Sequence, residues 1–332
     1  MKIVILDCHA VNPGDLSWEP IKQLADCTIY ERTRQEDVVE RAKDADGILI
    51  NKVNITEEVL QQLPKLKYIG ELATGYNNID IAAARARGVV VCNIPAYSTD
   101  SVAQHVFALL LNAATRVDHY AEAVRRGEWC KQQDFCYWDT PLIELAGKTL
   151  GIVGLGHIGQ KVAQIAHAMG MDISAYTSKN STDLPECIRK TTLEGLFSTS
   201  DVITLHCPLT AENTHMINAE SLQKMRPGTI LINTGRGELV DTDALVEGLE
   251  SGKIYGAGID TLENEVEIFF KDFKGKTLPV PAFEKLIDMY PKVIITPHVG
   301  SYTDEAALNM IETTFDNIKE YLDTGDCKNK IQ

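Results

Sequence analysis

The 332-residue chain has no C-x-x-C pair. Its eight cysteines stand alone at 8, 27, 92, 130, 136, 187, 207 and 327. That spacing argues against a structural zinc site, and no metal is expected. There is no long hydrophobic run either. The longest, around Val106 to Leu111, is far too short to cross a bilayer. The opening MKIVILDCHA has one Lys followed by a strand-like stretch, and lacks the small-residue cleavage site of a secretory signal. The expectation is therefore a cytoplasmic protein with reduced thiols. Positive charge is also short: 32 Lys and Arg face 47 Asp and Glu, a net charge of -15. Such a surface disfavours nucleic acid and anionic membranes, and an anionic substrate would need a local cationic pocket. No internal repeat or low-complexity tract is present.

What the sequence does contain is alternation. Strand-like segments at Lys2 to Leu6, Thr28 to Tyr30, Gly47 to Ile50, Leu66 to Ile69 and Val89 to Cys92 are interleaved with helical ones at Gln35 to Lys43 and from Thr56. A long helical stretch, Ser101 to Gly127, carries apolar positions at helical spacing, and WCKQQDFCYWDTP (129–141) reads as an irregular arm. A second α/β series follows. Its strands are expected at Thr149 to Val153, Asp172 to Tyr176, Val202 to His206, Thr229 to Asn233, Gly256 to Asp260 and Val293 to Thr296. A last helix is expected from about Asp304 to Leu322. Strands alternating with helices imply parallel sheets covered on both faces.

The sharpest local signal is GIVGLGHIG, in which Gly154, Gly156 and Gly159 form G-x-G-x-x-G between a strand and a helix. The first glycine permits a tight turn, the second lets the backbone approach a pyrophosphate, and the third lets helix and strand pack closely. The helix N-terminus adds N–H groups and a positive dipole end. The acid that binds an adenosine ribose belongs at the end of the next strand, about 20 residues on. Here that position is Thr177, followed by Ser178 and Lys179. Without the acid, a 2′-phosphate is not repelled, so NADP(H) is favoured over NAD(H). The alternative is that Lys179 is a solvated charge and NAD is held by other contacts.

Three later strand ends carry suggestive groups: Arg236 in TGRGELVD; Asp260, Glu263 and Glu265 in DTLENE; and His298 in PHVG. Ligands of open parallel sheets bind at the carboxyl ends of the strands. A guanidinium can hold a carboxylate and polarise the adjacent carbonyl. A histidine oriented by a carboxylate can supply the proton that a new alkoxide needs.

With these residues in view, the chain resembles the D-isomer-specific 2-hydroxyacid dehydrogenases. The matching stretches are ATGYNNID (73–80), NIPAYSTDSVAQ (93–104), GKTLGIVGLGHIGQ (147–160), LHCPLT (205–210), MRPGTILINTGRGELVD (225–241), GAGIDTLENE (256–265) and ITPHVGSYTDEA (295–306). Up to Leu145 the chain is most similar to glycerate dehydrogenases (hydroxypyruvate reductases). From Asn264 onward it is more like D-lactate and (R)-2-hydroxyglutarate dehydrogenases.

The resemblance implies two Rossmann-like domains with parallel sheets. Residues 1–100 plus 301–332 would form a flavodoxin-like substrate-binding domain. Residues 101–300 would form the NAD(P)-binding domain, with a dimerisation arm at 101–145 and hence a homodimer. It implies reversible NAD(P)H-dependent reduction of a small 2-keto acid, hydroxypyruvate or glyoxylate favoured, to the D-2-hydroxy acid. His298 would be the proton donor, Glu265 its partner, and Arg236 the substrate clamp. Thr74, Gly75 and Tyr76 would hold the other side of the substrate carboxylate, and Tyr97 and Trp138 would line the pocket. Gly156, His157 and Ile158 would lie along the pyrophosphate, and Cys207 and Pro208 beside the adenosine half. Thr234, Gly235 and Asp260 would lie at the nicotinamide end. The alternatives are a D-lactate or (R)-2-hydroxyglutarate type of dehydrogenase and, in another class, a nicotinamide-sensing corepressor-like binding module on the same fold.

Overall fold

The computed structural model of the chain describes residues 1–12, 14, 16–268 and 271–331. They divide into two units, one made of Met1–Ser98 together with the segment from Tyr302 onward, the other of Thr99–Ser301.

The first unit holds strands β1 (Lys2–Ile5), β2 (Asp26–Ile29), β3 (Gly47–Ile50), β4 (Tyr68–Glu71) and β5 (Val90–Cys92), and helices α1 (Glu19–Leu24), α2 (Val38–Ala42), α3 (Glu57–Gln61) and α4 (Ile81–Ala86). The sheet order is β2-β1-β3-β4-β5, all parallel, which is the flavodoxin-like order. Alternate side chains of β1 go to opposite faces, so Val4 and Ile3 enter two different apolar clusters. The helix from the far end of the chain, α12 (Asp304–Thr324), supplies Met310, Ile311 and Ile318 to the cluster containing Ile3 and Tyr68. Thr303 starts that helix by accepting from Ala306 N, with Asp304 and Glu305 in its positive first turn.

The second unit begins with α5 (Thr99–Thr115) and α6 (Val117–Arg125). Its strands are β6 (Thr149–Val153), β7 (Asp172–Tyr176), β8 (Ile188–Lys190), β9 (Val202–Leu205), β10 (Thr229–Asn233), β11 (Ile254–Ile259) and β12 (Val293–Ile295). Between them lie α7 (His157–Ala168), α8 (Leu193–Thr199), α9 (Ala219–Lys224), α10 (Thr242–Glu250) and α11 (Pro281–Asp288). The parallel sheet runs β12-β11-β10-β9-β6-β7-β8, the doubly wound dinucleotide-binding order with a seventh strand on one edge. Val106, Leu109 and Leu110 of α5 share a buried cluster with Leu150, Ile152 and Ile232 of the sheet. No helix among the described residues is long and apolar enough to cross a membrane.

Four sequence expectations need correction. The helix expected over Ser101 to Gly127 is two helices, because Arg116 adopts a left-handed backbone (φ 55°) between them. Its buried guanidinium is tied to Pro291 O and stacked over Tyr255, contacts that no periodicity reports. Gln35 to Lys43 opens as a 3-10 turn over Gln35–Asp37 before α2. Strand β8 was not anticipated: it is three residues long, with Arg189 and Lys190 exposed at the sheet edge. Finally, the thiols are not all reduced. Cys92 and Cys327, 235 residues apart, form a disulfide where the tail pairs with β5 through Ile331 N and Val91 O (2.8 Å).

Ile152 lies on β6, an interior strand of the second sheet, and is fully buried. Ile152→Ala should cost about 2–5 kcal/mol, read as a lower urea midpoint. A loss below about 1 kcal/mol would mean that this face of the sheet is not tightly packed.

Candidate active site

Because the strands of the second sheet are parallel, their carboxyl ends fall on one edge, and the loops leaving that edge carry the candidate residues. After β6 comes the glycine turn. Gly154 has φ 94°, and a Cβ there would lie 2.6 Å from Cys207 N. A Cβ on Gly159 would lie 2.2 Å from Gly154 O, so the helix can approach its own strand only through glycine. Gly156 is different: a Cβ there meets nothing within 4 Å. It is also the N-cap of α7 and makes no side-chain cap, so His157 and Ile158 begin the helix with N–H groups directed outward. An open glycine at an uncapped helix start fits the pyrophosphate of a dinucleotide.

Next to it, Tyr176 O accepts from Gly154 N (2.9 Å), which brings the end of β7 beside the turn. Thr177 follows, its hydroxyl accepting from Lys179 N (3.2 Å). Lys190 from the unanticipated edge strand donates to Lys179 O (2.5 Å), so it braces the Thr177–Lys179 turn and adds charge. The sequence reading missed Lys190 because no motif spacing links it to that turn. On the other side, Cys207 and Pro208 leave β9. Burial holds the neighbouring His206 imidazole down at about 4, so this part of the edge is neutral.

At the end of β10, Asn233 organises the cationic loop. Its Nδ2 donates to Arg236 O (2.9 Å) and its Oδ1 accepts from Gly235 N (3.1 Å). Asn233 was also missed, although it is the one amide ending the buried run TILIN. Thr234 Oγ1 is buried and without a protein partner among the described residues. Arg236 is half-buried, donates to Gly235 O (2.8 Å), and is paired with no carboxylate among the described residues.

The three acids after β11 have separate partners. Asp260 is buried and accepts from Thr296 Oγ1 (2.6 Å), Val299 N (2.9 Å) and Gly300 N (2.9 Å). Burial pushes its carboxyl up, but hydrogen bonds from His105, Thr296, Gly300 and Val299 outweigh that and hold it below the usual range. Glu263 lies 2.5 Å from His215 Nε2 and accepts from Thr242 Oγ1 (2.9 Å). Glu265 Oε1 lies 2.8 Å from His298 Nδ1, and its Oε2 accepts from Leu262 N (3.2 Å). A carboxylate only accepts, so His298 Nδ1 carries the hydrogen and Nε2 is left for chemistry. His298 has a left-handed backbone, φ 55°.

In the first unit, Thr74, Gly75 and Tyr76 form the loop after β4. It is fastened by Thr74 Oγ1 to Ile94 O (2.8 Å), Asn93 Nδ2 to Thr74 O (2.7 Å) and Asn78 Nδ2 to Glu71 Oε2 (3.0 Å). Tyr97 follows β5, and its carbonyl accepts from Asn309. Trp138 belongs to no strand end; it sits exposed (67%) on the irregular arm.

The family model for "D-isomer specific 2-hydroxyacid dehydrogenase, NAD binding domain" matches residues 107–300. The chain belongs to the D-isomer-specific 2-hydroxyacid dehydrogenases. It is 40% identical over 326 residues to the hydroxypyruvate reductase of Blautia hydrogenotrophica, covering 97% of both chains. It is 40% identical over 305 residues to the glycerate dehydrogenase of Methylorubrum extorquens, 91% of each. The solved D-lactate dehydrogenase of Aquifex aeolicus, complexed with NAD and lactic acid, superposes with a TM-score of 0.86 at 33% identity, covering 100% of this chain and 99% of that one. As a member of the family, the protein is a nicotinamide-dependent oxidoreductase interconverting a small 2-keto acid and its 2-hydroxy acid.

The glycine contacts give opposite expectations for two substitutions in this dehydrogenase. Gly159→Ala should lower Tm, because its methyl meets the Gly154 carbonyl. Gly156→Ala should leave Tm unchanged and weaken dinucleotide binding, measured by quenching or calorimetric titration. Unchanged affinity in Gly156→Ala would remove the turn from the cofactor site.

Proposed function

We propose that the protein reduces hydroxypyruvate or glyoxylate to the D-2-hydroxy acid, preferring NADPH, with His298 as proton donor. The observation that carries the reading is the 2.8 Å pairing of His298 Nδ1 with Glu265 Oε1. It fixes the tautomer and the ring, so that Nε2 of the protonated imidazole gives its proton to the carbonyl oxygen during reduction and takes it back in oxidation. When bound, the reduced nicotinamide supplies the hydride. Arg236, a cation without an acidic partner among the described residues in a chain of charge -15, holds the substrate carboxylate and polarises its carbonyl. The loop Thr74–Gly75–Tyr76 offers backbone N–H groups to a substrate carboxylate, and Tyr97 and Trp138 are substrate-binding residues. Gly154, Gly156, His157, Ile158 and Gly159 hold the pyrophosphate, Cys207 and Pro208 flank the adenosine, and Thr234, Gly235 and Asp260 border the nicotinamide.

The choice of substrate follows the relatives named hydroxypyruvate reductase and glycerate dehydrogenase. The choice of NADPH follows from Thr177, Ser178 and Lys179 where an acid would bind a ribose, reinforced by Lys190. Residues 1–100 and 301–332 serve as the substrate-binding domain and 101–300 as the cofactor domain. The exposed Phe135 and Trp138 of the 101–145 arm suit a homodimer interface.

His298→Ala should reduce kcat by about 10²-fold or more while leaving NADPH affinity within about twofold. A fully active variant overturns the proton-donor role. Thr177→Asp should turn the preference toward NADH, scored as the ratio of kcat/KM with the two cofactors on hydroxypyruvate. An unmoved ratio means that the β7 end does not read the 2′ position.

A further inference from the structure

His298 sits in a strained turn, and its surroundings must hold it there. The turn runs from Thr296 to Gly300, with His298 N donating to Thr296 O (2.9 Å) and Asp260 O (3.0 Å). Its side-chain anchor is Asp260, which reaches Thr296, Val299 and Gly300 at once. Thr296 has one hydroxyl hydrogen, and at 2.6 Å it is given to Asp260 Oδ1. The Thr296 lone pairs therefore face His105 Nε2, 2.9 Å away on α5, and that nitrogen must be the donor. The same nitrogen is 3.3 Å from Asp260 Oδ1. A Cβ on Gly300 would lie 2.8 Å from Asp260 Oδ2 and 3.2 Å from His105 Cδ2, so the turn lies flat against both groups.

We propose that His105 is a positioning residue for His298, acting through the chain His105 Nε2–H to Thr296 Oγ1–H to Asp260. The inference rests on the reading of His298 as proton donor. His105 dictates which way the Thr296 hydroxyl points. That orientation keeps a buried carboxylate supplied with enough donors to remain ionised and to hold the Val299 and Gly300 amides. Without the His105 donor, the Thr296 hydroxyl can rotate, the carboxylate loses two hydrogen-bond donors, and the turn is free to leave the left-handed conformation. The imidazole then drifts from Glu265, and the reaction slows with no change in how the dinucleotide is gripped.

The test compares His105→Leu with His105→Gln, whose amide nitrogen restores a donor, using hydroxypyruvate and NADPH. His105→Leu should lower kcat about tenfold or more with KM for NADPH within about twofold, and His105→Gln should recover most of the loss. Thr296→Val and Thr296→Ser should reproduce the pair, and they carry the test if the Leu variant does not fold. Equal losses in the donor-lacking and donor-restoring variants, or full kcat in the donor-lacking ones, overturns the proposal. His298→Ala is assayed alongside. If it is inactive while His105→Leu is normal, only the positioning role fails; if it is active, the proton-donor reading fails first.

Discussion

The parallel arrangement of the strands is the constraint on which everything else depends. Each strand of both sheets runs parallel to its neighbours, so each carboxyl end opens a loop on the same edge as the next. In the second unit the register makes this tight: Asn233 pairs with Ile259, and Ile259 with Ile295. The cationic loop, the buried acid and the histidine turn therefore leave adjacent strands at the same height. The helix crossovers that force the strands parallel also bury both faces, which is why runs such as TILIN are nearly continuous in apolar residues.

On this edge, polar groups are divided so that each carboxylate has its own partners. Asp260 secures a turn, Glu263 pairs with His215, and Glu265 pairs with His298. Three carboxylates within six residues would repel one another if left to share a partner, and separate partners remove that conflict. Arg236 is the counterpoint. In a protein with a large acidic excess its guanidinium donates to a carbonyl of its own loop and pairs with no carboxylate among the described residues.

The glycine turn, the strand ends and the positions of Arg236, Glu265 and His298 just beyond them were legible in the sequence because each rests on short-range pattern: a fixed spacing, a period of two, a polar residue at the end of an apolar run. The break at Arg116, the edge strand with Lys190 and the Cys92–Cys327 bond were not. Arg116 and Cys92 depend on partners far along the chain, Pro291 and the tail after α12, and the three-residue edge strand is too short to show a period of its own.

His105 shows the boundary between the two kinds of information most clearly. In sequence it is one polar residue in the amphipathic helix VAQHVFALLL, 155 positions before Asp260 and 191 before Thr296. By itself the sequence determined the class of fold and the nicotinamide-dependent family, because these follow from local periodicity and from residue types at strand ends. Only the tertiary structure decided that Glu263 pairs with His215, that Lys190 braces the turn after β7 and that His105 lies against Thr296 and Asp260. Those choices are made by packing between segments that the fold brings together, and no local periodicity or motif spacing encodes them.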